Sequence, residues 1–421
     1  MAAKRNTDVL VAGGGPVGLF SALALARNGI RVEILEEQWR PASRSYALAL
    51  HSESLRLLSS LDLAPALLAN GNSIEQMGLY GEGSRQGEIS FSGLPGKYPL
   101  VLVLPQHQLE EVLHAALEEA GVEIRWNHRL AGFEQGADGV TAQVEQLTKE
   151  SSGYSVSRTE WVVAREETVE AQFLIGADGH RSLVRRHLGI DFPTCGKSST
   201  FAVFEFSAVA REGAGEELQI VLDDKTTNVL WPLSEGRFRW SFELPDFAED
   251  LDPRFKSRLF VQVRDEAFPH VSEEKLADLI AERAPWFDAK IIEVIWSAAI
   301  RFEQRLAGQF GRGRAMLVGD AAHLAIPIGI QSMNVGFREA MDLAKRIAHI
   351  VRGRTGHESL DEYAEQWKQE WERLLSIRES VSVQGGASPW IQQRAPRIPL
   401  CIPASGNDLN TLLAQIGIRP Q

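Results

Sequence analysis

The 421-residue sequence predicts an α/β fold: a Rossmann-like parallel sheet with an antiparallel β-sheet domain inserted into it. Three observations carry this. The stretch DVLVAGGGPVGLFSALALARNGIRVEIL runs strand, glycine turn, helix, strand, a βαβ unit that implies parallel pairing. Two later stretches, FLIGADG and RAMLVGDAAH, read as buried strands that end in Asp-Gly and Gly-Asp. Between them, residues 200–245 read as short strands joined by polar, glycine-containing turns, which suits an antiparallel sheet.

Taken in order, residues 8–12 form a strand, 16–28 a helix stopped by Gly29, and 31–35 a second strand. Helical spacing covers 52–68 and, strongly, 106–120, where Leu109, Val112, Leu113, Ala116 and Leu117 share a face. VEIRW after Gly121 is strand-like. Residues 140–175 read as a meander or hairpin broken by the polar stretch 148–158. Helices are expected at 273–284, 335–352 and 358–380, a strand at 290–302, and a weak helical piece at 408–416. The domain of the parallel sheet is divided over 1–75, 101–190 and 306–352. The β-rich domain takes 76–100 and 191–305, and 353–421 is a C-terminal helix with a Pro-rich tail.

A net charge of −12 and a pI near 5.4 argue against nucleic acid as a partner. Cys195 and Cys401 make neither a disulfide framework nor a metal cluster, so a reduced, cytoplasmic setting without a metal is expected. No apolar run reaches the ~18 residues of a spanning helix, and the first apolar run ends in glycines rather than a cleavage site.

Three motifs carry chemistry. Gly13-Gly14-Gly15-Pro16-Val17-Gly18 is a G-x-G-x-x-G between a strand and a helix. Gly13 permits the turn, Gly15 lets a pyrophosphate approach, and Gly18 lets the helix pack on the strand. Pro16 and Val17 open a helix whose N-terminus favours phosphate. Glu36 closes the second strand, where an acid binds ribose hydroxyls, with Glu37 as its neighbour. In the second motif, Asp178 and Gly179 end a strand and Ser182 caps the next helix. In the third, Gly319-Asp320 ends a strand, Asp320 is placed to accept from a ligand hydroxyl, and a loop at 327–336 leads into a helix.

In this order and spacing the three motifs resemble the flavin-dependent aromatic hydroxylases, single-component flavoprotein monooxygenases of the para-hydroxybenzoate hydroxylase fold. The resemblance runs from about residue 7 to 350. It implies a glutathione-reductase-type FAD-binding domain and two cofactors, FAD and NADPH or NADH. Gly13, Gly15, Gly18 and Glu36 would hold the adenosine diphosphate part; Asp178 and Gly179 would serve FAD and NAD(P)H. Gly319 and Asp320 would hold the ribityl chain, and the loop of Pro327, Ile330, Gln331, Ser332, Met333 and Asn334 the ring. Gln106 matches a position that contacts FAD, Leu130 one near the adenine, and Arg44, with Tyr46 competing, one that follows the second strand.

The family loop usually reads Pro-x-Gly-Gly-Gln-Gly-x-Asn-x-Gly; here Ile330 and Ser332 replace two glycines. A β-branched residue at φ > 0 costs about 1–2 kcal/mol. The expectation is therefore a locally relaxed loop or a shifted flavin, and weaker FAD binding.

The resemblance implies hydroxylation of an electron-rich small molecule by O2 through a hydroperoxide at flavin C4a, with no protein nucleophile. His51, Tyr46 and Arg44 are the candidate bases near the ring, and His323 reads as a loop-fixing residue. The substrate would lie against the antiparallel sheet, with Phe204, Phe206, Val221, Trp231, Pro232 and Trp240 as candidate lining. Three alternatives are a flavin-dependent halogenase, whose Gly-Trp-x-Trp-x-Ile-Pro stretch is absent, a flavin-linked reductase of isoprenoid or quinone-type substrates, and a flavin-binding regulatory protein. The tail is too short for a thioredoxin-like extra domain, and a monomer or homodimer is expected.

Overall fold

The computed structural model describes residues 5–39, 48–152, 158–210, 215–245, 260–263, 266–377 and 381–420. Arg44 and Tyr46 lie outside the described residues.

The strand Arg5–Ala12 is the pivot of the parallel sheet. Val9, Leu10 and Val11 are all buried, so both faces are covered. On one side it pairs in parallel with Val32–Glu36, Val9 opposite Val32. On the other it pairs in parallel with the end of Arg158–Gly176, Ala12 opposite Gly176. Glu123–Trp126 extends the sheet beyond Val32–Glu36, and Ala315–Leu317 extends it beyond Arg158–Gly176. Strand order thus diverges on either side of Arg5–Ala12. In such sheets the crevice at the carboxyl ends of the diverging strands is where ligands bind.

The inserted sheet has seven strands in the order 289–302, 199–210, 237–243, 227–232, 217–222, 76–81, 84–90. All neighbours are antiparallel except Glu217–Leu222 and Gln76–Gly81, which run parallel. Alternation splits its side chains between two layers. Phe204, Phe206, Val221, Trp240 and Phe242 pack on the face covered by the helix Glu273–Arg283, through Leu276 and Leu279. Val203, Ile220, Val229, Trp231 and Ile300 join the core shared with the parallel sheet.

Several elements differ from the sequence expectation. The helix expected over 52–68 is two helices, Ser52–Ser59 and Ala64–Asn70, parted by Asp62 at φ 64, a left-handed residue that helices do not continue through. Of the polar stretch expected to break 140–175, residues 148–152 instead continue a hairpin in which Val140–Ser152 pairs with Arg158–Gly176 out to Ser152 opposite Arg158, and 153–157 lie outside the described residues. The helix expected to begin at 335 begins at Gln331 and runs to Val351. The tail carries the short helix Pro389–Arg394 and the helix Gly406–Gln415, and it buries Trp390, Ile398, Leu400, Ile402 and Leu412 in the main core.

Candidate functional site

A cleft of about 1260 Å³ opens at the carboxyl ends of the parallel strands and reaches the edge strand of the inserted sheet. Its lining brings together Gly13, Gly15, Pro16, Val17, Glu36, Glu37, Gln106, Leu130, Asp178, Gly179, Asp320, Pro327, Ile330, Ser332 and Met333.

The glycine turn is built for close approach. Gly13 has φ +106, and a Cβ there would sit 2.2 Å from Ala177 O. A Cβ on Gly18 would sit 2.0 Å from Gly13 O, so Gly18 acts by packing the helix and does not line the cleft. The helix Pro16–Arg27 starts at Gly15 with Pro in its first turn and no side-chain cap, which leaves its N-terminus facing the cleft for an anion. Glu36 closes the turn from the next strand: its carboxylate accepts from Gly14 N at 2.6 Å and from Gln38 N at 2.8 Å. Glu37 is more than half exposed at the rim, 3.8 Å from Arg129. Gln106 is buried at the start of the helix Gln106–Glu119 and donates to Glu110 at 2.6 Å.

Asp178 makes two backbone contacts, accepting on Oδ2 from Leu183 N at 2.7 Å and Val184 N at 3.1 Å. Its Oδ1 is buried without a hydrogen-bond partner in the protein. Burial pushes its carboxyl above the ordinary 3.8, against the hydrogen bonds that lower it. A hydroxyl-bearing ligand in the cleft would satisfy Oδ1. Arg185 then joins two motifs, donating to His180 O and to Ala321 O, each at 2.8 Å.

Gly319 stands at φ +61, where a Cβ would press on Val17 at 3.2 Å. Its N–H donates to Glu339 Oε2 at 2.9 Å, so Gly319 supports the cleft and does not line it. Asp320 beside it is exposed to the cleft.

The loop is where the sequence expectation needs correction. Ile330 holds the left-handed conformation, φ 50 and ψ 43, that a glycine would hold. The loop has not relaxed. Ser332 is already in the first turn of the helix, where no glycine is required, and its Oγ accepts from Ala325 N at 3.2 Å. Gln331 and Asn334 do not line the cleft. Gln331 donates to Ile402 O at 3.0 Å, and Asn334 donates to Ala49 O and Ile330 O while accepting from His51 N.

The substrate-lining expectation is also corrected. None of Phe204, Phe206, Val221, Trp231, Pro232 and Trp240 reaches the cleft. Phe204, Phe206, Val221 and Trp240 lie on the helix-covered face of the sheet. The residues that the sheet side contributes are Phe268, Ile300, Arg301, Phe302 and Glu303. His51 is not a base at the ring. It is buried outside the lining, its Nε2 meets Gly329 O at 2.9 Å, and burial drives its pKa down to about 3. Held neutral, it donates Nε2–H to that carbonyl.

Glu339 was not among the sequence candidates. It is fully buried, accepts from Gly319 N and from Trp371 Nε1 at 2.6 Å, and lies 2.8 Å from His323 Nε2. His323 stacks on Trp371 at 3.8 Å between ring centroids. The available signal was an acid at i+4 from Val335 and i−4 from Leu343, on the apolar stripe of a helix.

Comparison with known proteins follows this geometry. A family profile described as "FAD binding domain" matches residues 6–376. The chain is 30% identical over 372 residues to 6-methylpretetramide 4-monooxygenase of Streptomyces rimosus, covering 88% of this chain and 60% of that protein. The anhydrotetracycline hydroxylase structure from Streptomyces rimosus superposes with TM-score 0.64 at 26% identity, over 94% of this chain and 69% of that one. The p-nitrophenol 4-monooxygenase structure from Pseudomonas putida shares the fold, with TM-score 0.71 at 21% identity over 98% and 97%. The chain spans about 60% to 65% of the length of the first curated relatives it matches. Among the described residues no helix is long and apolar enough to cross a membrane.

Proposed function

The chain belongs to the FAD-binding-domain family, and from that premise we propose that it is an NAD(P)H-dependent flavoprotein monooxygenase that hydroxylates an aromatic or other electron-rich small molecule. One observation carries the reading: a single cleft joins the glycine turn, Asp178, Asp320 and the Pro327 loop to the edge of the inserted sheet. The names of the relatives support hydroxylation over the reductase and regulatory readings.

FAD fits the residues present. The Gly15 helix terminus suits its pyrophosphate, and Glu36 stands at the strand end where ribose hydroxyls bind. The orphaned Asp178 Oδ1 and the cleft-facing Asp320 suit hydroxyls of the cofactor. Bound there, FAD would supply two-electron acceptance from NAD(P)H and activation of O2 for oxygen transfer. The chain's part is to bind, orient and dry the site. Ile326, Pro327, Ile330 and Met333 form one apolar wall, with Ile300 and Phe302 on the sheet side. A flat, apolar substrate suits that space. His51 carries no proton to the chemistry, since its Nε2–H is committed to Gly329 O.

We assign 1–75, 101–190 and 306–352 to the cofactor domain and 76–100 with 191–305 to the substrate domain, which reaches the cleft through Phe268 and residues 300–303. The test is NADPH and NADH oxidation with O2 uptake by the FAD-loaded protein across a panel of phenols and polycyclic aromatics. Stimulated, oxygen-consuming oxidation with a hydroxylated product is expected. Turnover of a substrate only under anaerobic conditions would contradict the reading.

A further inference from the structure

The cleft wall rests on a backbone state that its own residue disfavours. Ile330 sits at φ 50, ψ 43 immediately before the helix Gln331–Val351. A strained non-glycine residue persists only where its surroundings over-determine it. Three hydrogen bonds converge on residues 329–331. His51 Nε2 donates to Gly329 O at 2.9 Å, Asn334 Nδ2 donates to Ile330 O at 2.8 Å, and Gln331 Nε2 donates to Ile402 O at 3.0 Å.

The third bond differs from the others because it reaches the C-terminal segment. That segment also presses on the turn: Leu400 O would lie 2.6 Å from a Cβ placed on Gly329. Leu400, Cys401 and Ile402 are all buried. Just upstream, the same segment is fastened to the inserted sheet. Arg397 donates to Asp223 O at 2.5 Å, to Thr227 Oγ1 at 2.9 Å and to Thr226 O. Arg394 donates to Leu222 O at 3.1 Å. A chain of direct contacts therefore runs from the sheet turn at 222–227, through 394–402, to the wall of the cofactor cleft.

We propose that Gln331 is a positioning residue for the cofactor: through Ile402 it ties the Ile330 turn to the C-terminal segment, so that seating of this segment on the inserted sheet governs flavin affinity. The inference rests on the FAD reading above. Without the tie, Ile330 relaxes from the left-handed region and the wall shifts. A glycine at this position occupies that region as readily as any other, so it has no such drive.

The experiment is a double-mutant cycle on full-length apoprotein, with FAD affinity read by flavin fluorescence for wild type, Gln331→Met, Ile330→Gly and the double variant. Gln331→Met is expected to weaken binding about tenfold alone and less than about twofold in the Ile330→Gly background. That rescue is the readout a merely structural role does not give. If Gln331→Met does not fold, Arg397→Gln loosens the segment from the sheet instead, and its smaller loss of affinity must likewise vanish in the Ile330→Gly background. Equal losses in both backgrounds, or no loss, overturn the proposal while leaving the cofactor reading intact. Failure of wild type to bind FAD overturns both.

Discussion

Ile330 shows how magnitudes settle a conflict at one residue. A left-handed β-branched residue costs about 1–2 kcal/mol. Burying an Ile side chain stabilises by about 1.5–3 kcal/mol, and Ile330 is only 7% exposed. Burial offsets the strain, and the hydrogen bonds that converge on residues 329–331 hold the turn in the left-handed state. The consequence is a reversed preference between the two smallest residues. At an ordinary helical site Ala exceeds Gly by roughly 0.5–1 kcal/mol. At position 330 both variants lose the side chain, and Ile330→Gly should be more stable than Ile330→Ala by about 1 kcal/mol in urea unfolding. The ordinary order, with Ala above Gly, would show that the turn is not held left-handed.

His51 gives a pH dependence with a definite sign. The unfolded chain takes up a proton on this residue below about its ordinary 6.5, but the folded chain does so only near 3. Proton uptake by the unfolded state alone favours unfolding. The contribution is therefore full above the unfolded value and is lost as pH falls from there toward the folded one. Near pH 5 the loss amounts to roughly 2 kcal/mol. His51→Gln keeps a donor for Gly329 O and cannot titrate. Between about pH 7.5 and pH 5, its unfolding free energy should fall by about 2 kcal/mol less than that of wild type. Equal falls would place the acid sensitivity elsewhere.

At the scale of elements, one buried carboxylate holds the Gly-Asp turn. Glu339 on the long helix accepts from Gly319 N and from Trp371 Nε1, so a strand end and two helices meet on one side chain. Glu339→Gln substitutes an NH2 for one of two acceptors and leaves a buried donor facing a donor, at a cost of about 1–3 kcal/mol. The variant should show that loss in denaturant unfolding and weaker FAD binding. Unchanged stability would mean the hub is dispensable. This element was only half legible beforehand. The glycine turn and both Asp motifs depend on neighbours in sequence, and Gly13, Asp178 and Asp320 do meet in one cleft. The conformation at Ile330 depends on partners such as His51 and Ile402, hundreds of residues or dozens away, which local pattern does not encode.

For the whole molecule, two sheets are joined by a shared core and sealed by the tail. Fold class was readable because periodicity of 2 and 3.6 marks strands and helices. Which face of the inserted sheet meets the cofactor side was not. Phe204 and Val203 differ by one position yet lie in different cores, and only the pairing of distant strands assigns them. The tail was equally opaque, since its polar contacts with residues 222–227 leave no local pattern.

The central claim is that this cleft holds FAD along the glycine turn, Asp178 and Asp320. Titration of the apoprotein with FAD, followed by the visible absorption and fluorescence of the flavin, tests it most directly. The account predicts saturation at one FAD per chain with a perturbed flavin spectrum, and weakened binding in Asp178→Ala. A flavin spectrum that stays that of free FAD at every protein concentration would contradict it.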